Sequence, residues 1–257
     1  MLDSLQLARE IASRSHRIVA LTGAGISTES GVPDFRGPQG VWTMNPKREQ
    51  LSDIRYYMTD PEVRKLAWQE RLAHPAWRAR PNAGHMALVE LEKGGRLRAL
   101  VTQNIDGLHQ LAGNSTEKIL EVHGNMRQAM CMNCGWRGPM QATLDRVRAG
   151  EEDPGCLHCG GILKSATISF GQALVPETIE CAMRAAEEAD LLLAIGTSLN
   201  VYPAAGAVPL AKSAGARIII LNAQPTPMDD IADVVLRGVI GEVLPELVRS
   251  SQLGVRA

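Results

Sequence analysis

Residues 17–37 read RIVALTGAGISTESGVPDFRG and join a short apolar run to a glycine-rich segment. The run at 17–22 is rich in Leu and β-branched residues, which is typical of a buried parallel strand. Gly23 and Gly25 follow at once, and glycines after a strand let backbone N–H groups approach a pyrophosphate closely. This context favours a dinucleotide site, although a plain strand-ending turn explains an isolated G-x-G about as often.

The glycine spacing differs from that of dehydrogenases. The next glycine is Gly31 instead of one three residues after Gly25, and no acidic residue ends an obvious second strand about 20 positions on. The pattern therefore argues against the usual oxidoreductase loop. Behind the glycines, Arg36 could pair with a phosphate and Phe35 could cover a flat ring. A surface ion pair and a core aromatic explain the same two residues equally well.

Similar apolar runs recur along the chain and alternate with segments of helical spacing. The predicted strands are 17–22, 97–102, 190–196, 217–222 and 233–236, and the predicted helices include 83–93, 176–189 and 204–214. This alternation predicts an α/β fold, a Rossmann-type doubly wound parallel sheet, formed by residues 1–125 and 164–257. Two stretches interrupt it, and they predict a helical insertion at about 41–81 and a small inserted module at 126–163.

Composition limits the classes of partner. Lys and Arg number 27 against 28 Asp and Glu in 257 residues, so no strong positive field attracts a nucleic acid backbone. The longest apolar runs, 191–195 and 218–221, are far shorter than the roughly 20 residues that span a bilayer. Residues 1–17 resemble an amphipathic helix and not a secretory signal. We expect a cytoplasmic protein without nucleic acid or membrane partners, and no particular oligomer is implied.

Four cysteines form two C-x2-C pairs, which are separated by 21 residues. They are Cys131, Cys134, Cys156 and Cys159. This spacing predicts a four-cysteine zinc ribbon within the module at 126–163. Because four thiolates fill a tetrahedral Zn²⁺ ion and leave no position for water, we expect a structural metal and not a catalytic one. The fifth cysteine, Cys181, is predicted to be a small buried residue.

Polar residues follow the predicted strands where ligands bind in open α/β sheets. The segment TQNIDGLH occupies 102–109, Gly196 to Ser198 end a later strand, and Asn222 ends the next. His123 follows another short apolar run and precedes Gly124, which makes it a candidate general base. For a lone histidine, a structural hydrogen bond is the more common role.

Together these motifs resemble the sirtuin family of NAD-dependent protein deacylases, in its bacterial form, over about residues 5–247. The matching segments are GAGIS at 23–27, GVPDFRG at 31–37, TQNIDGLH at 102–109, HG at 123–124, both cysteine pairs and GTSLNVYPAA at 196–205. The resemblance implies that NAD is consumed and not reduced. The acyl-lysine oxygen would attack the nicotinamide ribose carbon, nicotinamide would leave, and lysine and O-acyl-ADP-ribose would be released.

The resemblance also implies roles for individual residues. His123 would be the base that deprotonates the ribose hydroxyls, and Asn104 and Asp106 would complete the catalytic set. The implied NAD contacts are Gly23, Ala24, Gly25, Ser27, Asp34, Phe35, Arg36, Trp42, Gln103, Asn104, Ile105, Asp106, Gly196, Thr197, Ser198, Asn222 and Ile240. Of these, Ile105 and Asp106 would bind the nicotinamide carboxamide, and Asn222 and the backbone around Ile240 would meet the adenosine end. An acyl-lysine protein or peptide would add as a strand and contact Phe170, Gly171, Leu199 and Val201.

The acyl preference depends on two further positions. Family members that favour acidic acyl groups are similar to this chain at Arg71, where they also carry an Arg, but they carry a Tyr at the position of Trp68. Arg71 would select a carboxylate through a charge-assisted hydrogen bond, but Trp68 lacks the phenol that would share it. A solvated helix charge explains Arg71 at least as well. Family members also often carry Pro and Glu where this chain has Ser165 and Gln172.

Three other functions are alternatives to a deacylase. The glycine spacing argues against a Rossmann oxidoreductase with a structural zinc ribbon. A binding module that reads ADP-ribose needs no base, so Asn104, Asp106 and His123 argue against it. A sirtuin-like ADP-ribosyltransferase uses the same chemistry and stays open.

Overall fold

The structure is a computed structural model that describes residues 2–34, 37, 40–44 and 52–249, with Leu2 and Trp42 described by their backbone. Its strands are β1 (Ile18–Thr22), β2 (Leu97–Thr102), β3 (Ile119–Glu121), β4 (Gly124–Cys131), β5 (Arg137–Pro139), β6 (Leu163–Thr167), β7 (Leu191–Ile195), β8 (Arg217–Leu221) and β9 (Val234–Leu236). Its helices are α1 (Leu2–Arg14), α2 (Val41–Met44), α3 (Ile54–Thr59), α4 (Pro61–Ala73), α5 (Ala83–Lys93), α6 (Leu108–Ala112), α7 (Met140–Arg148), α8 (Pro176–Glu187), α9 (Ala207–Ser213) and α10 (Ile240–Val248).

Six of the described strands form a parallel sheet in the order β3-β2-β1-β7-β8-β9. Counted along the chain within this sheet, the order is 3-2-1-4-5-6, which is the Rossmann order. From β1 the chain adds β2 and β3 on one side of the sheet and then β7, β8 and β9 on the other, so the strand order reverses between β1 and β7 and a crevice opens beyond their carboxyl ends. The predicted α/β fold with a Rossmann-type sheet is confirmed.

Both faces of the sheet are covered, which explains why the strands are apolar throughout. Side chains alternate along β1, so Ile18 lies in the core that includes Leu88 and Leu244 of α5 and α10. Val19 points to the other face, where the core includes Ala185 of α8 and Val208 of α9. A strand buried on both sides has no polar face to show.

Three further strands form an antiparallel sheet in the order β5-β4-β6. Helix α7 covers it, and Trp68 of α4 is buried in the same core. The helical insertion and the small sheet therefore share one core. The strands of this sheet begin at Gly124 and end at Thr167, slightly outside the predicted module at 126–163. The division of the chain into domains stays a prediction.

Two local findings complete the fold. Cys181 was predicted to be buried, and this was wrong: it is exposed on α8, whose buried residues are Ala182, Ala185 and Ala186. A residue next to a buried helical position faces about 100° away from it, because 3.6 residues make a turn. Among the described helices, none has the length and apolar character to cross a membrane.

Candidate active site

The glycines after β1 and β7 bring two loops into contact at the switch point. Gly23 N–H donates to Ile195 O at 3.0 Å, and Gly25 N–H donates to Gly196 O at 2.8 Å. A Cβ on Gly25 would lie 2.7 Å from Gly196 Cα, and one on Gly196 would lie 2.4 Å from the Ile26 nitrogen. These glycines are thus required for loop packing, and the two N–H groups are already used within the protein.

Three buried polar side chains lie together beneath these loops. Ser27 Oγ donates to Asp106 Oδ2 at 2.8 Å. Asn104 Nδ2 donates to Ser27 Oγ at 3.2 Å and to Gly23 O at 3.1 Å. The other carboxylate oxygen of Asp106 accepts the Leu108 N–H at 2.9 Å. Residues predicted from two distant motifs therefore form one hydrogen-bonded network.

A second set of buried polar groups is hydrogen-bonded to this network through Asn104. Thr22 Oγ1 donates to Thr102 Oγ1 at 2.8 Å, and Thr102 Oγ1 also accepts the Asn104 N–H at 3.1 Å. His109 Nε2 lies 3.0 Å from Thr22 Oγ1. Because that hydroxyl already donates its proton to Thr102, His109 Nε2 carries the proton in their contact.

Histidines 85 and 109 form a buried pair with ring centroids 5.0 Å apart. Burial lowers the pKa of His109 to about 3, with a smaller effect from His85 nearby, and burial lowers the pKa of His85 to about 4. Both rings are therefore neutral at pH 7. His109 therefore has a structural role, which is the common one for a buried histidine.

His123 lies at the carboxyl end of β3, before the first residue of β4. Its Nδ1 is 3.0 Å from Gln103 O. A carbonyl oxygen can only accept, so Nδ1 carries the proton and Nε2 keeps its lone pair. Burial lowers the pKa of His123 below its usual value. Gly124 has φ +74°, and a Cβ there would lie 2.1 Å from Ala166 O, so glycine is required next to the imidazole.

The remaining predicted NAD contacts line the same edge of the sheet. Gln103 Nε2 donates to Thr197 Oγ1 at 2.9 Å and so joins the loops after β2 and β7. Ala24 begins the 3₁₀ helix Ala24–Ser30. Ile105, two residues after Gln103, and Ser198, next to Thr197, are half-buried. The contacts of these residues with NAD stay predictions.

The residues predicted at the adenosine end lie after β8 and β9. Asn222 is buried, and its Nδ2 donates to Gln224 O at 2.8 Å. Ile240 is buried as the first residue of α10. Asp34 Oδ1 accepts the Gly37 N–H at 2.8 Å. Phe35, Arg36 and the side chain of Trp42 lie outside the described residues.

The predicted peptide site lies between two loops. Phe170 is exposed, and its backbone N–H and C=O are bonded to Ser52 O and Ile54 N at 2.8 and 3.0 Å. Gly171 is exposed with φ +77°, whereas Leu199 is buried with φ +55° and Val201 is half-buried. A docking strand would therefore need backbone groups other than those of Phe170.

The two predicted acyl-pocket residues pack against each other. Trp68 is fully buried, and the guanidinium of Arg71 lies 4.7 Å from its ring centroid and 4.9 Å from that of Tyr57. Arg71 Nη1 donates to the Tyr57 hydroxyl at 3.0 Å, and that hydroxyl donates to Leu163 O at 2.7 Å. A phenol does form a hydrogen bond with Arg71, but it belongs to Tyr57 on α3 and not to position 68. The predicted acyl contacts stay predictions.

The four cysteine sulfurs meet at one point of the small sheet. All four lie within 4.8 Å of one another, with Cys131 and Cys159 at 3.5 Å and Cys134 and Cys156 at 3.8 Å. A tetrahedral ion with Zn–S bonds of about 2.3 Å spaces its sulfurs about 3.8 Å apart. The donor set and its geometry fit zinc.

Two residues of this region, Glu121 and Arg127, were not predicted from the sequence. Glu121 accepts from Gln110 Nε2 and Asn125 Nδ2, both at 2.8 Å, and burial raises its pKa. Arg127 Nε donates to Asp106 O at 2.9 Å. Glu121 was detectable as a polar residue at a strand end, but no local pattern marks Arg127.

Comparisons with known proteins agree with this geometry. Residues 23–203 match the Sir2 family. NAD-dependent protein deacetylase 2 of Streptomyces coelicolor is 49% identical over 232 residues, which cover 90% of this chain and 96% of that protein. A solved Sir2 enzyme is 39% identical, with a TM-score of 0.87 and coverage of 96% and 97%. A Sir2 variant with a deacetylated p53 peptide and 3′-O-acetyl ADP-ribose is 31% identical, with a TM-score of 0.87 and coverage of 95% and 96%. The chain therefore belongs to the Sir2 family, as the resemblance predicted.

Proposed function

We propose that this protein is an NAD-dependent protein lysine deacylase. It transfers the acyl group of an acyl-lysine to ADP-ribose and releases nicotinamide and O-acyl-ADP-ribose. The names of its relatives support this activity, because they are NAD-dependent deacetylases and deacylases. A relative bound to a deacetylated peptide and an acetylated ADP-ribose supports the direction of acyl transfer.

The observation that carries the proposal is the state of His123. Its Nδ1–H is held by Gln103 O at 3.0 Å, so Nε2 is the atom that can accept a proton. Burial keeps the ring neutral by lowering its pKa. A positioned, neutral imidazole is suited to remove a proton from a ribose hydroxyl near pH 7. A protein that only binds ADP-ribose needs no such group.

The residues at the switch point fit NAD. Asp106 accepts from Ser27 Oγ and from Leu108 N, and an ionised carboxylate offers about four lone-pair sites. It can therefore also accept the amide N–H of a nicotinamide carboxamide, and Asn104 would contact the ribose. Bound NAD supplies the reactive ribose carbon and the nicotinamide leaving group. Ser27, Asn104 and Asp106 hold it in the orientation that this substitution needs.

The cysteine cluster is proposed to hold one structural Zn²⁺ ion. Four thiolates would complete its coordination, so the ion supplies shape and not chemistry. Cys131 and Cys156 are buried in the core that contains Trp68. Zinc would thereby fix the small sheet against helix α4.

The substrate is proposed to be an acyl-lysine protein segment that binds as a strand between the loops at 170–171 and 199–201. Main-chain recognition of this kind makes little demand on peptide sequence. Exposed Gly171 is suited to close backbone approach, since no Cβ blocks it.

We also propose a cytoplasmic location. All five cysteines lie within the described residues, and none of them forms a disulfide. Free thiols, four of them clustered as metal ligands, are typical of a reducing compartment.

The direct test is nicotinamide release from NAD with acetyl-, succinyl- and longer-acyl-lysine peptides. The wild type should release nicotinamide only with an acylated peptide, and His123→Ala should lose deacylated product by at least a factor of about 100, the lower range for a general base. An unfolded variant is excluded by its thermal melting curve. Absence of release with every peptide would refute the deacylase.

A further inference from the structure

Strand β4 of the small sheet reaches the loop that carries Asp106. Met126 N–H donates to Ile105 O at 2.9 Å, and Arg127 Nε donates to Asp106 O at 2.9 Å. Two consecutive residues of β4 thus bind two consecutive carbonyls of the loop. The second contact is made by a charged donor, and such hydrogen bonds are about twice as strong as neutral ones.

The loop is shaped to receive the arginine. Gly107 has φ +72°, and a Cβ at this position would lie 2.6 Å from Arg127 Nε and 2.9 Å from its Cδ. The side chain therefore occupies the space beside Gly107 that any other residue would fill. The fit between Gly107 and Arg127 is a second observation, independent of the hydrogen bond.

The guanidinium is itself held in place. Its central carbon, Cζ of Arg127, lies 5.6 Å from the centroid of the Trp77 ring. Its Nη2 makes a longer contact, 3.5 Å, with Ala76 O. A planar guanidinium with several donors can bridge segments in this way, whereas an ammonium offers a single donor point. Arg127 therefore joins the small sheet, the segment at 76–77 and the Asp106 loop.

We propose that Arg127 is a positioning residue for the nicotinamide end of the NAD site. By holding the Asp106 carbonyl, it fixes the peptide unit between Asp106 and Gly107 and so the direction of the Asp106 carboxylate. The inference rests on the proposed function. It assigns Arg127 an effect on nicotinamide recognition alone, because the predicted adenosine contacts, Asn222 and Ile240, lie beyond β8 and β9.

The test compares Arg127→Met and Arg127→Lys with Arg148→Met, an exposed arginine on α7 of the same module. In Arg127→Met, the KM for NAD and the inhibition constant of nicotinamide should rise together by about tenfold, which corresponds to roughly 1.4 kcal/mol. The dissociation constant of ADP-ribose, which lacks nicotinamide, should change less than about twofold. Arg127→Lys keeps the charge but loses the planar guanidinium, so it should recover only part of the loss, and Arg148→Met should match the wild type.

Two results would overturn the inference. Unchanged KM and nicotinamide inhibition would mean that the loop needs no support from Arg127. Equal weakening of NAD and ADP-ribose binding, or a loss of kcat with both constants unchanged, would indicate a general structural role. An inactive wild type would instead refute the deacylase, and calorimetric binding of NAD against ADP-ribose would then decide on Arg127. If Arg127→Met fails to fold, the same comparison is made with Arg127→Lys, which should show a smaller NAD-specific loss.

Discussion

His123 shows how one backbone contact sets the chemistry of a side chain. The Gln103 carbonyl fixes the Nδ1–H tautomer, and burial disfavours the imidazolium, so the ring presents a basic Nε2 to the site. The pair His85 and His109 is buried more deeply and has pKa values of about 4 and 3.

The first prediction concerns the pH dependence of the reaction. Because burial holds the pKa of His123 below its usual 6.5, the acidic limb of the pH profile of kcat/KM for NAD should have its midpoint below pH 6.5. Deacylation rates between pH 5 and 9 measure this profile. An acidic limb with its midpoint above 6.5 would contradict the assignment of His123 as a neutral, buried base.

A second prediction concerns stability. At pH 5, His109 is neutral in the folded chain but protonated in the unfolded chain, so acid favours unfolding. Between pH 6.5 and 5 this costs about 2 kcal/mol, at 1.36 kcal/mol per pH unit. His109→Gln keeps a polar group for Thr22 and should reduce the loss of stability between pH 7 and 5 by that amount.

Urea unfolding at pH 7 and pH 5 measures the effect of His109→Gln. His16→Gln, which removes an exposed histidine, is the matched control. If His109→Gln lost as much stability as the wild type over this range, the protonation of His109 would not contribute to acid unfolding.

Among the secondary-structure elements, those with a clear local sequence pattern were predicted correctly. The apolar runs at β1, β2, β7, β8 and β9 were recognisable because strands buried on both faces have no polar alternation. The edge strand β3 was not predicted as a strand, since its three residues, Ile119–Glu121, give no periodicity. The Rossmann-type parallel sheet and the sirtuin resemblance were confirmed, but the sheet has six strands where the sequence predicted five.

Long-range contacts were beyond local patterns. The glycines after β1 were assigned to pyrophosphate approach, yet their close neighbour is Gly196, which is remote in sequence. Likewise, nothing local to Trp68 indicates that it completes the core beneath the cysteine cluster. Arg127 lies on strand β4 of the small sheet and Asp106 on the loop after β2 of the parallel sheet, so their contact could not be predicted without the fold.

A third prediction belongs to the small sheet. Cys134→Ser should remove bound zinc and lower the free energy of unfolding by more than about 4 kcal/mol, because loss of a structural metal is among the most destabilising changes. Cys181→Ser, outside the cluster, should change stability by less than about 0.5 kcal/mol. Metal analysis and thermal melting test both variants. Full zinc content and stability in Cys134→Ser would exclude a four-cysteine structural site.

At the scale of the whole molecule, the proposed site is assembled from both sheets. The parallel sheet contributes Ser27, Asn104 and Asp106 at its switch point, and the chain passes from His123 directly into the small sheet at Gly124. Ile168 N–H donates back to His123 O at 2.8 Å, so β6 leads back to the same place. The proposed zinc site and the proposed catalytic site are thereby joined by short backbone connections.

The proposed acyl transfer consumes NAD. Mass spectrometry of one reaction, with NAD and an acetyl-lysine peptide, can measure nicotinamide, deacylated peptide and O-acetyl-ADP-ribose together. The three products should form in equal amounts, and no NADH should appear. Formation of NADH, or nicotinamide release that leaves the ADP-ribose on the peptide with the acyl group intact, would contradict the proposed acyl transfer.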